Sequence, residues 1–405
     1  MPDRSHGHVL YGPFFAPLPS LEKITTSPGR ANLGHLPYLD GLRGVAILTV
    51  LCFHCLHPAF GFDKLPWAGL MRDWGHSWEF LLVYPFSLGY LGVAIFFVIS
   101  GYCIHLSHMR NPRDGWAGFF IRRWFRIYPA YLFAIALFLF IPPWGGPWMN
   151  LERLTQLVAN LFAVQNLWED LRFGINPSFW SIAVEIQLYL IYPLLLMLVR
   201  RSGWRTALIL TASLELLLRI LPFFLSRAGL PQLPFALRGS PFFFWASWSI
   251  GAYLSEIHMQ QKIPLFARIR FDLVLVLTVL SAQFKPTQHL AFPLCALATA
   301  LAMDRIHQGR WKIATEGWAH WLWAHLSRLG VVSYSFYLFH QPILNKVGKG
   351  LREALPPLAI VGCLLLLYPL VLLVARLGHR YLEVPSIALG RSAITYLRSR
   401  RGLGS

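Results

Sequence analysis

The sequence predicts an all-α integral membrane protein that crosses the bilayer about ten times. Of its 405 residues, 56% are hydrophobic and only 13% are charged, whereas soluble domains carry about 25% charged residues. The apolar residues form runs long enough to cross a hydrocarbon core of about 30 Å. The basic residues lie mostly in short segments between these runs. This alternation is typical of a polytopic membrane protein.

Ten apolar runs are predicted to be transmembrane helices. The seventh is short for a span, and its boundary with the eighth, at Lys285 and Pro286, is the least well defined. The predicted spans are residues 40–58, 81–105, 128–144, 179–199, 205–223, 240–257, 271–284, 287–303, 330–347 and 357–375.

Both termini are predicted to be cytoplasmic. This orientation places more than twice as many Lys and Arg residues in cytoplasmic segments as in the opposite loops, as the positive-inside rule requires. We expect a cytoplasmic N-terminal tail that is not a cleaved signal peptide (1–37), a transmembrane domain (38–376) and a cytoplasmic C-terminal tail (377–405). Residues 151–168 have apolar positions at helical spacing and predict an amphipathic helix on the outer surface.

The formal net charge of +18 does not indicate nucleic-acid binding. The basic residues follow the topology, and the sequence has no soluble domain that could present a basic face. The five cysteines all fall in apolar runs, so no disulfide framework is expected. Cys52 and Cys55 flank His54, but a helix interior without a second Cys/His pair offers only part of a zinc shell. No metal site is therefore predicted.

The first span carries two ionisable residues that are costly in hydrocarbon, Arg43 and His54. Eleven residues separate them, so they share one helix face at a distance of about 16 Å along the axis. Ionisable groups inside a membrane usually have a function. The alternative is that Arg43 reaches the cytoplasmic headgroups and that His54 bonds a neighbouring helix. Asp40 is expected to cap the start of this helix.

A second basic feature lies in the segment IRRWFRIYPAY. Arg123 and Arg126 are three residues apart and share a helix face, and Arg122 adds a third guanidinium. Arginines that only follow the positive-inside rule would show the same pattern. Beside Arg43, however, two fixed guanidiniums would form a cytoplasmic anion site, because guanidinium binds phosphate with two hydrogen bonds.

Glu185 lies in a strongly apolar span, about 10 Å from its outer end. His54 lies about 21 Å from the inner end of the first span. Both are thus expected at a similar depth in the outer half of the membrane, where a carboxylate could orient an imidazole for catalysis. A plain interhelical hydrogen bond of Glu185 is the alternative. His340 falls near the middle of the ninth span.

Other ionisable residues receive structural interpretations. Glu215 and Arg219 are four residues apart in the favourable order and predict an ion pair within one helix. His105 and His108 fall near the inner surface, where we expect solvent to reach them.

Five blocks of the sequence together resemble the membrane-bound acyltransferase family 3 proteins of bacteria. The blocks occur in the family's order and are YLDGLRGVAILTVLCFH, GVAIFFVISGYCI, FIRRWFRIYPAY, FWSIAVEIQLYLIYP and YSFYLFHQPI. Each block alone is a weak signal, and the set is specific. Proteins of this family modify sugars of surface polysaccharides, lipid-linked glycans and some natural products.

The resemblance implies a multi-pass protein of the bacterial inner membrane that transfers a short acyl group, usually from cytoplasmic acyl-CoA, to a hydroxyl acceptor. The Arg and His of the family's first span match Arg43 and His54. The R-x-x-R pair matches Arg123 and Arg126. The acid of the W-S-x-x-V-E block matches Glu185, and the His of the Y-x-x-H-x-P block matches His340.

The sequence departs from the family at two points. A second acid often follows the first, but this chain has Ile186 there. Some relatives carry a fused extracytoplasmic hydrolase-like domain that completes transfer. The chain shows none after its spans, so we expect it to act alone or with a separate extracytoplasmic partner.

The layering of charges and the resemblance suggest one mechanism. The arginines would bind the donor's phosphates, and His54, oriented by Glu185, would act as general base on the acceptor hydroxyl. A covalent acyl-histidine that relays the group is the competing mechanism. A glycan or lipid flippase and a transmembrane N-acetyltransferase acting on an amino sugar are the alternative functions. The sequence has no inverted repeat that would favour a transporter.

Overall fold

A computed structural model of the chain describes residues 36–61, 78–140, 151–284 and 286–400. Within these residues the protein is helical and contains no strand, which confirms the predicted all-α class. The predicted N-terminal tail lies almost entirely outside the described residues. The α-helices are α1 (Pro37–Phe60), α2 (Trp78–Val83), α3 (Gly92–Arg110), α4 (Gly115–Phe140), α5 (Leu151–Leu161), α6 (Phe179–Arg227), α7 (Phe235–Gly239), α8 (Trp245–Met259), α9 (Phe271–Gln283), α10 (Gln288–His307), α11 (Gly317–Val331), α12 (Ser333–Leu351), α13 (Pro357–Leu366), α14 (Tyr368–Gly378) and α15 (Val384–Arg400).

The helices have the character of a membrane protein. Each of the ten predicted spans overlaps at least one helix. Five stretches are long and apolar enough to cross a membrane, and α9 is a shorter apolar helix. The number of crossings and the side on which the termini lie stay predictions. The five stretches are Pro37–Phe60, Trp78–Arg110, Phe179–Arg227, Gln288–His307 and Pro357–Arg400.

Helix α6 joins two of the predicted spans. It has 49 residues, so it would be about 73 Å long if it were straight, more than twice the hydrocarbon thickness. The backbone breaks at Gly203, where φ is 77° and ψ is 166°. Glycine adopts this left-handed φ without a Cβ penalty. The break falls between predicted spans 179–199 and 205–223 and divides α6 at that point.

Part of the chain between α5 and α6 is buried, including the residues just before α6. Helix α5 confirms the helix predicted within 151–168, whereas its position on a membrane surface stays a prediction. The segment that follows is packed inside the protein by polar side chains: Asn166 donates to Gln187 (3.0 Å) and to the carbonyl of Gly239 (2.8 Å). Asn176 donates to the carbonyl of Leu338 on α12 (2.9 Å). Helix α6 therefore begins in the protein interior.

Helices α1 and α11 pack closely because both carry glycine at their contact. A Cβ at Gly44 would overlap the backbone carbonyl of Leu326, and one at Gly330 would overlap the carbonyl of Asp40. Small residues let membrane helices approach each other and gain dispersion contacts. This contact fixes the first helix, which carries Arg43 and His54, against the C-terminal half of the bundle.

The segment predicted as a C-terminal tail is helical and packs on α4. Ser386 donates to the carbonyl of Phe125, and Arg398 donates to Asp114 (2.7 Å). Burial raises the pKa of Asp114, but hydrogen bonds from Arg398 and Arg122 outweigh it and hold the pKa below its usual value. The stabilisation from this carboxylate is thus present at neutral pH and is lost as the pH falls through the lowered pKa.

Replacement of Gly44 by Ala tests the α1–α11 contact. We expect Gly44→Ala to lower the free energy of unfolding by about 1–3 kcal/mol, because the added methyl group meets fixed backbone. Gly362→Ala on α13 is the control, since a Cβ there meets nothing within 4 Å. Thermal unfolding of the purified protein measures both, and equal midpoints for the two variants would contradict the packing.

Candidate active site

Four of the residues singled out in the sequence line one cavity of about 130 Å³. Arg43 comes from α1, Arg123 and Arg126 from α4, and Glu185 from α6. Helices α3 and α12 complete the wall. Three guanidiniums and one carboxylate thus face a small shared space, so the lining of the cavity is net positive.

The guanidinium of Arg43 is fixed by two neighbours. Its Nη1 donates to Asp40 Oδ1 (2.6 Å) on the same helix, and its Nη2 donates to Cys103 Sγ (3.1 Å) on α3. The expectation that Asp40 caps α1 is wrong, because the helix begins at Pro37 with Leu36 at the cap position. Asp40 lies one turn further in, where it pairs with the arginine three residues later.

The two arginines of α4 are also held from outside the cavity. Arg123 Nη2 donates to Ser107 Oγ (2.8 Å), and its buried Nε has no hydrogen-bond partner among the described residues. Arg126 Nη1 lies 3.9 Å from Glu383 Oε2, on the π-helical turn after α14. Both guanidiniums keep N–H groups that a bound anion could use.

Glu185 belongs to a hydroxyl network on the cavity wall. Its Oε1 accepts from Ser100 Oγ (2.6 Å) and Tyr189 OH (2.5 Å), and Trp248 Nε1 donates to Ser100 Oγ (3.3 Å). Its other oxygen accepts no hydrogen bond from the described residues. Tyr189, four residues after Glu185, shares its helix face, so helical periodicity could have identified this partner.

The expected contact between Glu185 and His54 is not what the structure shows. Glu185 lies with the arginines, and its described hydrogen bonds go to α3 and its own helix. The similar membrane depth expected for Glu185 and His54 stays a prediction. The residues just before α6 are buried: Ser178 and Asn176 are about 1% exposed, and Ser178 donates to Gln341 on α12.

His54 pairs with His340. The Nδ1 of His54 lies 2.8 Å from the Nε2 of His340, across the contact between α1 and α12. The Nδ1 of His340 lies 2.9 Å from the carbonyl of Tyr337 and 3.2 Å from that of Phe336. A carbonyl oxygen only accepts, so His340 donates from Nδ1.

This hydrogen-bond chain assigns the tautomer of both neutral rings. With the proton of His340 on Nδ1, its Nε2 is an acceptor, so His54 must donate from Nδ1. The remaining Nε2 of His54 then carries an unprotonated lone pair and has no hydrogen-bond partner among the described residues. His340 is fully buried, whereas His54 is half-buried. The free basic nitrogen is therefore on the more accessible ring.

Tyr337 contacts both the cavity and the histidine pair. Its ring lines the cavity, its hydroxyl lies 2.6 Å from Ser181 Oγ, and its ring centroid lies 5.5 Å from that of His340. His340 is three residues further along α12, about 4.5 Å. Phe96 packs edge-on against Tyr337. The ring of Tyr337 thus lies between the arginine-lined cavity and His340.

The remaining predicted residues have mixed outcomes. The Glu215–Arg219 pair is confirmed at 3.0 Å and is buried. The expectation that His105 is solvated is wrong: it is 1% exposed and bonds Tyr192 (2.8 Å) and Glu256 (2.6 Å). Within the described part of the chain, no group of three His, Cys, Asp or Glu side chains could hold a metal ion.

Comparisons with known proteins agree on a family. A family model described as an acyltransferase domain matches residues 36–376. The chain is 26% identical over 396 residues to O-acetyltransferase OatA of Staphylococcus aureus (strain NCTC 8325 / PS 47), covering 91% of this chain and 60% of that protein. It is 26% identical over 348 residues to acyltransferase MdmB of Streptomyces mycarofaciens, covering 76% and 79% of the two chains.

A shorter match, 28% identical over 182 residues, is to peptidoglycan O-acetyltransferase OatA of Listeria monocytogenes (serovar 1/2a, strain ATCC BAA-679 / EGD-e), and covers 42% of this chain and 25% of that protein. The match to O-acetyltransferase OatA of strain NCTC 8325 / PS 47 spans about 60% of that protein's length. No solved structure gives a significant match.

The tautomer assignment can be tested directly. Nitrogen-15 NMR of histidine-labelled protein should show His54 and His340 as neutral rings protonated at Nδ1, because the carbonyls of α12 fix the direction of the chain. His340→Phe should remove this preference in His54, because the acceptor is lost. The control is His320→Phe, because the side chain of His320 is exposed and does not belong to the hydrogen-bond chain of His54 and His340. A wild-type His54 protonated at Nε2 would contradict the assignment.

Proposed function

The chain belongs to acyltransferase family 3, and we propose that it moves a short acyl group, most simply acetyl, from cytoplasmic acyl-CoA to a sugar hydroxyl of a surface or lipid-linked glycan. The names of its relatives support O-acyl transfer: the two OatA proteins are O-acetyltransferases, one of them named for peptidoglycan, and MdmB is an acyltransferase. We place the protein in the bacterial inner membrane with ten crossings and both termini in the cytoplasm.

The observation that carries this proposal is the convergence of three guanidiniums on one cavity. A lining residue of that cavity, Tyr337, lies about one helical turn before His340, the partner of His54. In the proposed orientation, Arg43 lies six residues from the cytoplasmic start of α1. The three arginines would bind phosphate groups of the donor there, because charge-assisted bonds from guanidinium to phosphate are among the strongest available.

The donor would reach the histidine pair along the face of α1 that carries Arg43 and His54, about 16 Å apart. The cavity, at about 130 Å³, is smaller than the roughly 300–1,000 Å³ typical of sites for ligands of this size. Binding of the whole donor therefore requires Tyr337, whose ring contacts His340, and Phe96, which packs on Tyr337, to turn aside. The open oxygen of Glu185 would accept a hydrogen bond from an amide N–H of the pantetheine arm.

His54 would act as general base at the reacting centre. Its free Nε2 takes the proton of the acceptor hydroxyl while the hydroxyl oxygen attacks the thioester carbonyl carbon. The carbon–sulfur bond then breaks, and the departing sulfur takes the proton back from His54. His340 keeps the base in its active tautomer and stabilises the imidazolium, the part that a carboxylate plays in a Ser-His-Asp triad.

Mutation of the histidine base and mutation of a cavity arginine should affect different kinetic constants. We expect His54→Ala to lower the turnover number by about 10²–10⁴-fold, since the base is lost while the donor still binds. Arg43→Ala should instead raise the donor KM by roughly tenfold to a hundredfold, as expected for lost hydrogen bonds to a charged group. Arg201→Ala, on an exposed part of α6, is the matched control.

CoA release from acetyl-CoA by the protein in proteoliposomes, with and without candidate glycans, measures these effects. Normal acyl transfer by His54→Ala would show that the site is wrongly assigned. Glycan movement without CoA release would favour a flippase instead.

A covalent relay through His54 predicts a different result. If the base mechanism is right, protein incubated with acetyl-CoA without acceptor should carry no acetyl group on His54 when it is digested and analysed by mass spectrometry under mild conditions. His340→Ala serves as a comparison, since it removes the partner of His54. An acetylated His54 peptide that disappears when acceptor is added would replace the base mechanism by the relay.

A further inference from the structure

A buried carboxylate lies just beyond the part of the chain that the family model matches. Glu383 is fully buried on the π-helical turn His379–Glu383, which joins α14 to α15. Its Oε1 accepts from the backbone N–H (3.1 Å) and Oγ (2.6 Å) of Ser335 on α12. Its Oε2 lies 3.5 Å from His379 Nδ1. A buried carboxylate is costly unless it is paired, so its position calls for an explanation.

The carboxylate faces one of the cavity arginines. Arg126 Nη1 lies 3.9 Å from Glu383 Oε2. The side chain of Arg126 is 40% exposed, against 24% for Arg43. Among the described residues, Glu383 is the carboxylate that Arg126 is paired with. The guanidinium could otherwise turn towards solvent, because its long side chain is flexible.

The same arrangement recurs at the other two cavity arginines. Arg43 is held by Asp40, and Arg123 is held by Ser107. None of these three residues lines the cavity. Arg43 also donates to Cys103, which does line it. Each guanidinium thus has a contact outside the cavity and keeps N–H groups that these contacts do not use.

The fold places Glu383 by two separate contacts. A Cβ at Gly378 would meet Ser335 and Phe339 at 2.9 Å, so glycine lets the end of α14 approach α12 beside the cavity-lining residues. Further on, Ser386 bonds the carbonyl of Phe125, the residue before Arg126. The turn between these contacts is π-helical, a feature often found at functional sites.

We propose that Glu383 is a positioning residue that keeps Arg126 turned into the donor cavity. This inference rests on the proposed function, because it assigns to Arg126 a role in binding an acyl-CoA phosphate. Glu383 touches neither donor nor acceptor and acts through Arg126 alone. The C-terminal segment then contributes to donor binding by positioning Arg126.

A double-mutant cycle in the full-length protein tests the proposal. Glu383→Gln keeps an acceptor oxygen for Ser335 and removes the charge that faces Arg126. We expect it to raise the KM for acetyl-CoA by roughly fivefold to tenfold, within the range of coupled neighbours, and to leave the turnover number within about twofold. In an Arg126→Ala background, Glu383→Gln should change this KM by less than about twofold. Calorimetric titration with CoA should give the same pattern in affinity.

Two further variants separate positioning from a loss of structure. Asp114→Asn weakens the ion pair between Arg398 on α15 and the residue just before α4, and Asp114 contacts no cavity arginine, so the variant should lower thermal stability and leave the donor KM unchanged. Glu383→Asp keeps the charge and should fall between wild type and Glu383→Gln. The inference would be wrong if Glu383→Gln raised the donor KM equally in the wild-type and Arg126→Ala backgrounds. It would also be wrong if Asp114→Asn raised the KM as much as Glu383→Gln does. Neither result would contradict the proposed function. If the wild type neither binds nor turns over acyl-CoA, the proposed function and this inference fall together.

Discussion

Permanent guanidinium charge inside an apolar helical bundle is the constraint on which the site depends. Arg43, Arg123 and Arg126 cannot lose their protons, so each must be held by polar groups or reach water. The protein supplies Asp40 from the same helix, Ser107 from α3 and Glu383 from the C-terminal turn. Elements distant in sequence are thereby tied to one cavity.

The histidine pair obeys a second constraint, the direction of a hydrogen-bond chain. It starts at backbone carbonyls of α12, which can only accept, and ends at the free Nε2 of His54. The chain needs no carboxylate to fix the tautomer. This explains how Glu185 can lie elsewhere, with Ser100 and Tyr189, while His54 is still oriented. In the proposed mechanism, donor binding and proton transfer thus occupy separate layers with Tyr337 between them.

The sequence predicted the helices and the grouping of Arg43 with Arg123 and Arg126, because hydropathy and helical periodicity are local properties. It did not predict that Glu185 joins them. It failed where a partner comes from a distant helix. The His54–His340 bond joins residues 286 positions apart, and no spacing rule connects them. The partners of Glu185, Ser100 on α3 and Tyr189 on its own helix, were likewise not predicted. Glu383 was missed because its segment is too polar to be predicted as a packed helix.

The partners of the three arginines also explain how the cavity can be net positive and still form. Asp40 and Glu383 offset part of the positive charge from outside the cavity, so the site does not bury three uncompensated cations. A guanidinium has five N–H donors, and Asp40 and Cys103 take only two of those of Arg43. The unused donors are already oriented before a ligand arrives. An anion that binds there loses less affinity to the ordering of side chains, which is the advantage of a preorganised site.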